Sequence, residues 1–583
     1  MTFSRQFFGL LAVLSVLLVT IYPALHIPFI LDDHAKIILN TDVHALTGIW
    51  NKLVYPYGPS TIATRNDPSR PLVYLIYTLL YAGWSANPLP FHAVNLLFHG
   101  INGLLFALLI RRIFLGIDTD HHSPNLFFTV LFGALFFLLT PMNVATAAYI
   151  YGLSDVLSLS FILIALLCHS YSDERPLIMG IFSGIATLLS LGSKQIGVIT
   201  PFIFVLYDFF IRSRTKRDSK RPTLLSYGPS CLVVVSYLIW RLFYFGRMGD
   251  LEGSTYVKPL FSYVLAQPHA VLHYVIGSFI PYGLCLDHDL PYPPLHLWEH
   301  AFKTIVVLSL LTGGTWILWR QRSQRDVKLA LFGLFFFLVW IAPTSSVLST
   351  VDYVVERRSY GGSIGLTLGA LAAGLAMDRH LKAQHLRKFF WLLCIPLYCG
   401  FLAYFSHQRL QHMQSEKDLW IEILSRYPTS YRALGNLANT YIAERNFVEA
   451  EGSYKRLLTI LPDHATTFVN MGFVYANQLS PLKDVNKAKA FFTRGLELDP
   501  RIAEAWHNLG LLALEEGSLR EAERLFQKAI EVDPRHIGAY NQLCALMIDQ
   551  KRMDEARRYL DISRSLVPTH PMVLENQARI SGS

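Results

Sequence analysis

The chain has 583 residues, 52% hydrophobic, 13% aromatic and only 16% charged, with a mean hydropathy of +0.34. Soluble domains carry about 25% charged residues, so the composition excludes a disordered protein and an ordinary soluble enzyme. Residues 1–405 hold 29 Lys and Arg against 20 Asp and Glu, and residues 406–583 hold 22 of each; the net charge of +9 thus lies wholly in the first part, where a membrane charge rule explains it better than nucleic-acid binding.

In chain order, runs long enough to cross a bilayer as helices fall at 7–25, 89–110, 126–141, 153–171, 177–193, 196–211, 223–245, 302–319, 328–348, 360–377 and 389–405. The first lacks a small-residue cleavage site and is read as a retained anchor. Residues 71–83 and 269–284 are shorter or broken by Gly and Pro and are expected to lie on or dip into the outer face. With the N-terminus inside, the inner loops collect 18 basic residues and the outer loops 9, with Lys303 and Arg241 left within spans. That bias predicts an N-inside chain, and eleven spans then put the C-terminus outside. Among the six cysteines no pair has metal-like spacing except Cys394 and Cys399, which lie within a hydrophobic helix, so neither a disulfide framework nor a zinc site is read, and no metal is expected.

From residue 431 the chain repeats. Leu434, Ala438, Ala450, Tyr454 and Pro462 are matched by Phe468, Gly472, Ala488, Phe492 and Pro500, then Trp506, Gly510, Ala522, Phe526 and Pro534, then Tyr540, Cys544, Ala556, Leu560 and Pro568. The repeats start at 431, 465, 503 and 537, and a period of 34 with this alternation of small and large residues is the tetratricopeptide signature. The second carries four extra residues near LSPLKDVN. Trp420, Ile423 and Pro428 suit the second helix of an earlier, degenerate repeat, which the last span is expected to enter as one continuous helix. The predicted fold is all-α, a polytopic membrane domain over 1–405, a helical linker or degenerate repeat over 406–430, and a tetratricopeptide repeat (TPR) solenoid of four repeats over 431–583. Such solenoids offer a concave surface to peptides or proteins.

The residues suited to chemistry gather in the first outer loop, HIPFILDDHAKIILN, where Asp32 and Asp33 follow the membrane exit. Two adjacent carboxylates beside an apolar wall suit a general base, because partial desolvation raises a carboxylate pKa; the bland alternative is a solvated acidic pair. The same loop holds Asp42, Arg65, Asp67 and the step Ser69-Arg70-Pro71.

An N-inside first helix, a long outer loop opening on an acidic pair, and many further spans resemble the GT-C superfamily of polyprenyl-phosphate-sugar glycosyltransferases. The finer resemblance is to the transmembrane-and-tetratricopeptide O-mannosyltransferase-like family and its bacterial relatives. It rests on LDDHAKIILNTD (31–42), SRP (69–71), FHAVNLLFHGINGLLF (91–106), YGLSDVLSLSFILIAL (151–166), SLGSKQIGVITPFIFVLYDF (190–209) and VERRSYGGSIG (355–365), in that order, with the repeats behind them. The chain departs from the family at Lys194-Gln195, where relatives often have Lys-Glu, and at Arg358-Ser359-Tyr360-Gly361-Gly362.

The resemblance implies that Asp32 is the general base for an acceptor hydroxyl and that Asp33 orients the acceptor or donor. It implies that Arg357, Arg358, Arg241 and Lys194 face the lipid phosphate, although Arg241 also reads as a snorkelling side chain and Lys194 as a helix-end charge. Arg70, Asp155 and the His92–Asn95–His99 face are cavity candidates. That face reads equally as polar glue between helices, and Asp155 as a structural acceptor. The function implied is an inverting glycosyltransferase. It would move one sugar from a polyprenyl-phosphate carrier to a Ser or Thr hydroxyl of an exported protein on the outer face, with the repeats holding the acceptor and no cofactor beyond the lipid-linked donor. The setting is a bacterial inner membrane with periplasmic repeats, or an endoplasmic reticulum membrane with luminal ones. The rivals are transfer to a lipid-linked glycan, an O-antigen-type ligase, and a non-catalytic envelope scaffold.

Overall fold

The computed structural model describes residues 15–40, 42–44, 46, 67–117, 126–173, 175–212, 224–245, 260–288, 297–322, 324–345, 352–381, 383–567 and 570–581. Residues 7–14 of the first expected span, Arg65, the basic run over 213–221 and Pro568 lie outside them. All elements among the described residues are helical, and the chain divides into two compact units, Met1–Leu419 and Trp420–Ser583.

The first unit contains α1 (Pro71–Trp84), α2 (Pro88–Ile117), α3 (Leu126–Leu139), α4 (Pro141–Ala148), α5 (Leu153–Ser170), α6 (Pro176–Ser193), α7 (Thr200–Phe210), α8 (Leu224–Phe245), α9 (Leu260–Phe279), α10 (Leu297–Arg320), α11 (Arg325–Ile341), α12 (Gly362–His380), α13 (Gln384–Phe389) and α14 (Ile395–His412). Helix α15 (Glu416–Arg426) follows. Among the described residues, four helices are long and apolar enough to cross a bilayer: Pro88–Phe114, Ile150–Ser170, Pro176–Ser193 and Leu224–Tyr244. A fifth arises if the bent pair α3 and α4 is one span. The sequence reading expected eleven.

The differences have local causes. The expected span 126–141 bends by 56°, because Pro141 lacks an amide proton and holds Thr140 extended at φ −61°, ψ 124°. Beyond the bend, all eight residues of α4 are buried. The expected span 196–211 begins as a 3-10 turn, Gln195–Ile199, and only eleven residues form α7. Helix α11 ends at Ile341, just before Ala342-Pro343. Residues 269–279 of the apolar stretch expected at 269–284 form the second half of a helix that starts at Leu260, contains Pro268 and ends at Phe279. The last span opens with a π-turn over Phe390–Cys394, and the single helix expected to run on toward the repeats is interrupted at 413–415.

Helix α5 is central: 83% of its spanning window is buried, against 22% for α8. Apolar side chains such as Leu97, Leu104, Phe202, Leu232 and Phe243 remain exposed. Helices α11 and α12 cross at Gly333 and Gly365, where a methyl group on either would run into the other's carbonyl oxygen. Small residues allow such backbone approach between helices.

In the second unit each repeat is a helix pair: α16 (Tyr431–Ala443) with α17 (Phe447–Ile460), α18 (Ala465–Ala476) with α19 (Val485–Leu498), α20 (Ala503–Glu515) with α21 (Leu519–Val532), and α22 (Ile537–Asp549) with α23 (Met553–Leu566). Helix α24 (Pro571–Ser581) follows them. Ala450, Ala488, Ala522 and Ala556 are fully buried. Gly472 and Gly510 lie against the rings of Phe492 and Phe526, leaving no room for a larger side chain. Ser430 caps α16 by accepting the amide of Ala433 at 3.0 Å, and Asp484 caps α19 by accepting that of Lys487 at 3.1 Å. The extra residues of the second repeat sit in the turn between α18 and α19.

Candidate active site

After a 3-10 turn over Tyr22–His26, the chain runs extended to Leu31. Leu31 sits at φ 52°, a left-handed conformation that a branched side chain adopts at a cost. Asp32 and Asp33 come next, ahead of a π-turn over His34–Ile38. Asp33 is fully buried: its Oδ2 accepts the amide of Ile30 at 3.2 Å and its Oδ1 accepts the amide of Tyr151 at 2.9 Å. Burial pushes the Asp33 carboxyl well above the usual range, and the Asp32 charge adds to this, while the two amides oppose it. Asp32 has the opposite environment. Its side chain is 52% exposed, and its Oδ2 lies 3.5 Å from Nη1 of Arg357.

The opposite wall is the segment Tyr149-Ile150-Tyr151, a tight turn between α4 and α5. Asn95 donates to the carbonyls of Tyr149 and Ile150 at 2.8 and 3.2 Å, and Tyr77 Oη donates to that of Ile150 at 2.9 Å. Tyr149 Oη accepts the amide of Asp32 at 3.1 Å. Burial, with both aspartate charges, pushes the Tyr149 phenol well up, so it stays neutral with a proton to donate.

Cations surround these tyrosines. Arg70 Nη1 donates to Tyr151 Oη at 2.6 Å, and its Nε lies 3.4 Å from Asp67; Asp67 in turn is held by the amide and hydroxyl of Ser69. The Arg357 guanidinium stands 5.8 Å from the Tyr149 ring centre and 5.2 Å from that of Tyr151. Lys36, itself buried, is 6.0 Å from the Tyr151 ring centre. Lys194 pairs with Asp155 at 2.6 Å. Burial pulls its ammonium down to about 8 against the pull of Asp155, and the charges of Arg70 and Arg357 act in the same downward direction.

The structure thus brings Asp32, Asp33, Arg70, Asp155, Lys194 and Arg357 into one region. Arg358 acts differently, and Arg241 meets a tyrosine that lies within the field of Asp67 and Arg70. Arg358 donates to the carbonyl of Asp352 at 3.0 Å while its own carbonyl accepts Trp340 Nε1 at 2.9 Å, so it braces its own turn. Arg241 is buried on α8 and donates to Tyr237 Oη at 3.1 Å.

The His92–Asn95–His99 face ties helices together. His92 Nε2 is 2.8 Å from the carbonyl of Ile27. His99 bridges Leu138's carbonyl through Nε2 (3.1 Å) and Tyr360 Oη through Nδ1 (2.7 Å). The carbonyl requires a proton on Nε2, so Nδ1 accepts from the tyrosine. Asn102, one turn on, donates to the carbonyl of Val156 at 2.9 Å. These contacts favour the polar-glue reading over a cavity role. The sequence reading passed over Tyr149, Tyr151 and Lys36. Their signals were a tyrosine pair flanking one residue at a span entrance and a lysine three residues beyond Asp33.

Residues 433–465 match a tetratricopeptide repeat family, and residues 473–575 match the family described as the cilia and flagella-associated protein 70 middle TPR-like domain. A protein O-mannosyl-transferase of Caenorhabditis elegans is 22% identical over 468 residues, covering 77% of this chain and 63% of that protein. Protein O-mannosyl-transferase TMTC3 of Mus musculus is 22% identical over 528 residues (84% and 55%), and TMTC1 of Homo sapiens 25% over 508 residues (76% and 54%). The chain therefore spans roughly half to three-fifths of the length of these curated relatives. Among solved structures, yeast Tom70 matches at 13% identity over 79% of this chain and 96% of that one, with a TM-score of 0.26. The homologues of this chain are TMTC-type protein O-mannosyl-transferases, and its repeats are tetratricopeptide-like, in agreement with the resemblance carried by its motifs.

Proposed function

We propose that the protein is an integral-membrane glycosyltransferase that moves a sugar, mannose by analogy with its relatives, from a polyprenyl-phosphate carrier to a Ser or Thr hydroxyl of a protein. The observation that carries this reading is the contrast within the acidic pair: a fully enclosed Asp33 fixes the turn, and an accessible Asp32 faces Arg357. The acceptor oxygen attacks the anomeric carbon as the bond from that carbon to the phosphate oxygen breaks, inverting the centre. The hydroxyl proton passes to Asp32, and the carrier departs as polyprenyl phosphate. An alcohol needs such a base because its own pKa lies far above the working pH. The departing phosphate needs cations rather than an acid, and Arg357, Arg70 and Lys194 supply them. The 18-to-9 distribution of basic residues supports an outer-face site with the repeats on the same side, and the repeats are assigned to acceptor capture.

The test is transfer from a polyprenyl-phosphate sugar to an acceptor protein in detergent. Asp32→Asn keeps the shape and removes the base, so turnover is expected to fall about 10²–10⁴-fold with an unchanged melting temperature. Near-normal turnover would remove the mechanism, and no turnover by the wild-type protein with any polyprenyl-phosphate sugar would favour the scaffold reading.

A further inference from the structure

Next to Arg357 in the chain lies Glu356, the centre of a second buried polar cluster. Glu356 opens the 3-10 turn Glu356–Ser359 and is 4% exposed. Three nitrogens converge on its Oε1: His288 Nε2 at 2.9 Å, the backbone amide of Cys285 at 2.9 Å and His273 Nε2 at 3.1 Å. Its other oxygen, Oε2, is held by the guanidinium of Arg409 on α14. The two imidazole rings stand 4.5 Å apart, centre to centre.

A carboxylate oxygen has two lone-pair sites. With no ion present, each histidine approaches Oε1 as an Nε2–H donor, and with the Cys285 amide that makes three donors on one oxygen. The crowding is relieved if the two imidazole nitrogens present lone pairs to a common cation, leaving the Cys285 amide as the one hydrogen bond on Oε1. The spacing suits this. Metal–ligand bonds of about 2.0–2.1 Å in tetrahedral geometry set ligand atoms roughly 3.3 Å apart, and the existing nitrogen-to-oxygen distances of 2.9 and 3.1 Å need only a few tenths of an ångström more. Candidate ligand atoms of His273, His288 and Glu356 all lie within 4.8 Å of one another.

We propose that His273, His288 and Glu356 form a zinc site, with water in the fourth position. Two imidazoles and one carboxylate are a zinc donor set. Arg409 serves as the outer partner that fixes the carboxylate and leaves one oxygen for the metal. The ion would join α9, the segment after it and the turn that carries Arg357, so its role is to position the backbone of that arginine rather than to touch substrate. Nothing in the spacing announced the site, because its ligands are spread over residues 273–356.

The experiment needs no glycosyl donor, so its outcome is independent of the proposed reaction. Full-length protein in detergent is stripped with EDTA, dialysed against zinc chloride and assayed by mass-spectrometric metal analysis. The chain has 21 histidines, so adventitious zinc is subtracted with a His273→Gln/His288→Gln variant. The expected result is one-to-one zinc in the wild type above the variant, a rise in melting temperature on adding zinc to the stripped wild type, and visible tetrahedral absorption when cobalt replaces zinc. Equal zinc in wild type and variant would overturn the site. If the variant does not fold, the stripped wild type decides alone: unchanged melting on adding zinc, together with the absence of tetrahedral cobalt absorption, would equally overturn it.

Discussion

Replacing Asp33 with asparagine sets an amide nitrogen against one of the two backbone N–H groups, those of Ile30 and Tyr151, that the buried carboxylate now accepts. One buried donor loses its partner, at a cost of about 1–3 kcal/mol. Asp33→Asn is therefore expected to lower the melting temperature and to slow transfer less than Asp32→Asn does, a contrast that thermal melts and turnover assays on both variants would check. An Asp33 variant as stable as wild type would mean that this carboxylate does not hold the turn.

Lys194 gives the site a pH signature. With its ammonium pulled down to about 8 by burial, it is charged at pH 7 and loses that charge as the pH rises through 8, so attraction for a donor phosphate weakens in the alkaline direction. The kcat/KM for donor is expected to fall between pH 7 and 9, and Lys194→Arg, which stays charged, should flatten that limb. The acidic pair was legible in the sequence because its members are adjacent. Which of the two is accessible was not, because that depends on the amide of Tyr151, 118 positions away.

Among the helices, α11 and α12 cross with their backbones in close approach. A side chain on Gly365 would meet the carbonyl of Gly333, whereas Gly369, one turn later, has open space. Gly365→Val is expected to destabilise the first unit by about 1–3 kcal/mol, while Gly369→Ala should be neutral or slightly stabilising. Equal melting temperatures for the two variants in detergent would show that the helices do not depend on that approach. Element by element, hydropathy located most of the helices but not their interruptions. Pro141 stands inside an apolar run that the sequence reading treated as continuous, and the break before Pro141 turns the chain into a buried helix instead of ending it at a membrane surface. The repeats were the most legible part, because each small residue in the register answers to a buried Ala, Gly or Cys in a helix pair.

For the whole molecule, the two units have separate cores, and the proposed chemistry lies entirely in the first. On the proposed function, a chain ending after residue 426 is therefore expected to bind a polyprenyl-phosphate sugar and to glycosylate short acceptor peptides at high concentration. Transfer to a folded acceptor should show a raised KM with kcat kept, the pattern left when uniform binding is removed. A fall in kcat at saturating acceptor would show that the repeats help build the active site. No change at all would assign them another partner and remove the reason for choosing a protein acceptor.

The turn between α18 and α19 has a practical side. With its extra residues it passes from Asn477 to Asp484, and Ala488 and Phe492 of the helix after it are fully buried. Leu479 at its tip is exposed, and exposed loop tips are where chains accept insertions. A protease cleavage sequence spliced in at this point offers a handle inside the array itself. Cleavage in sealed vesicles of known orientation would report which side of the bilayer the repeats occupy, without a fusion partner that has to fold there on its own.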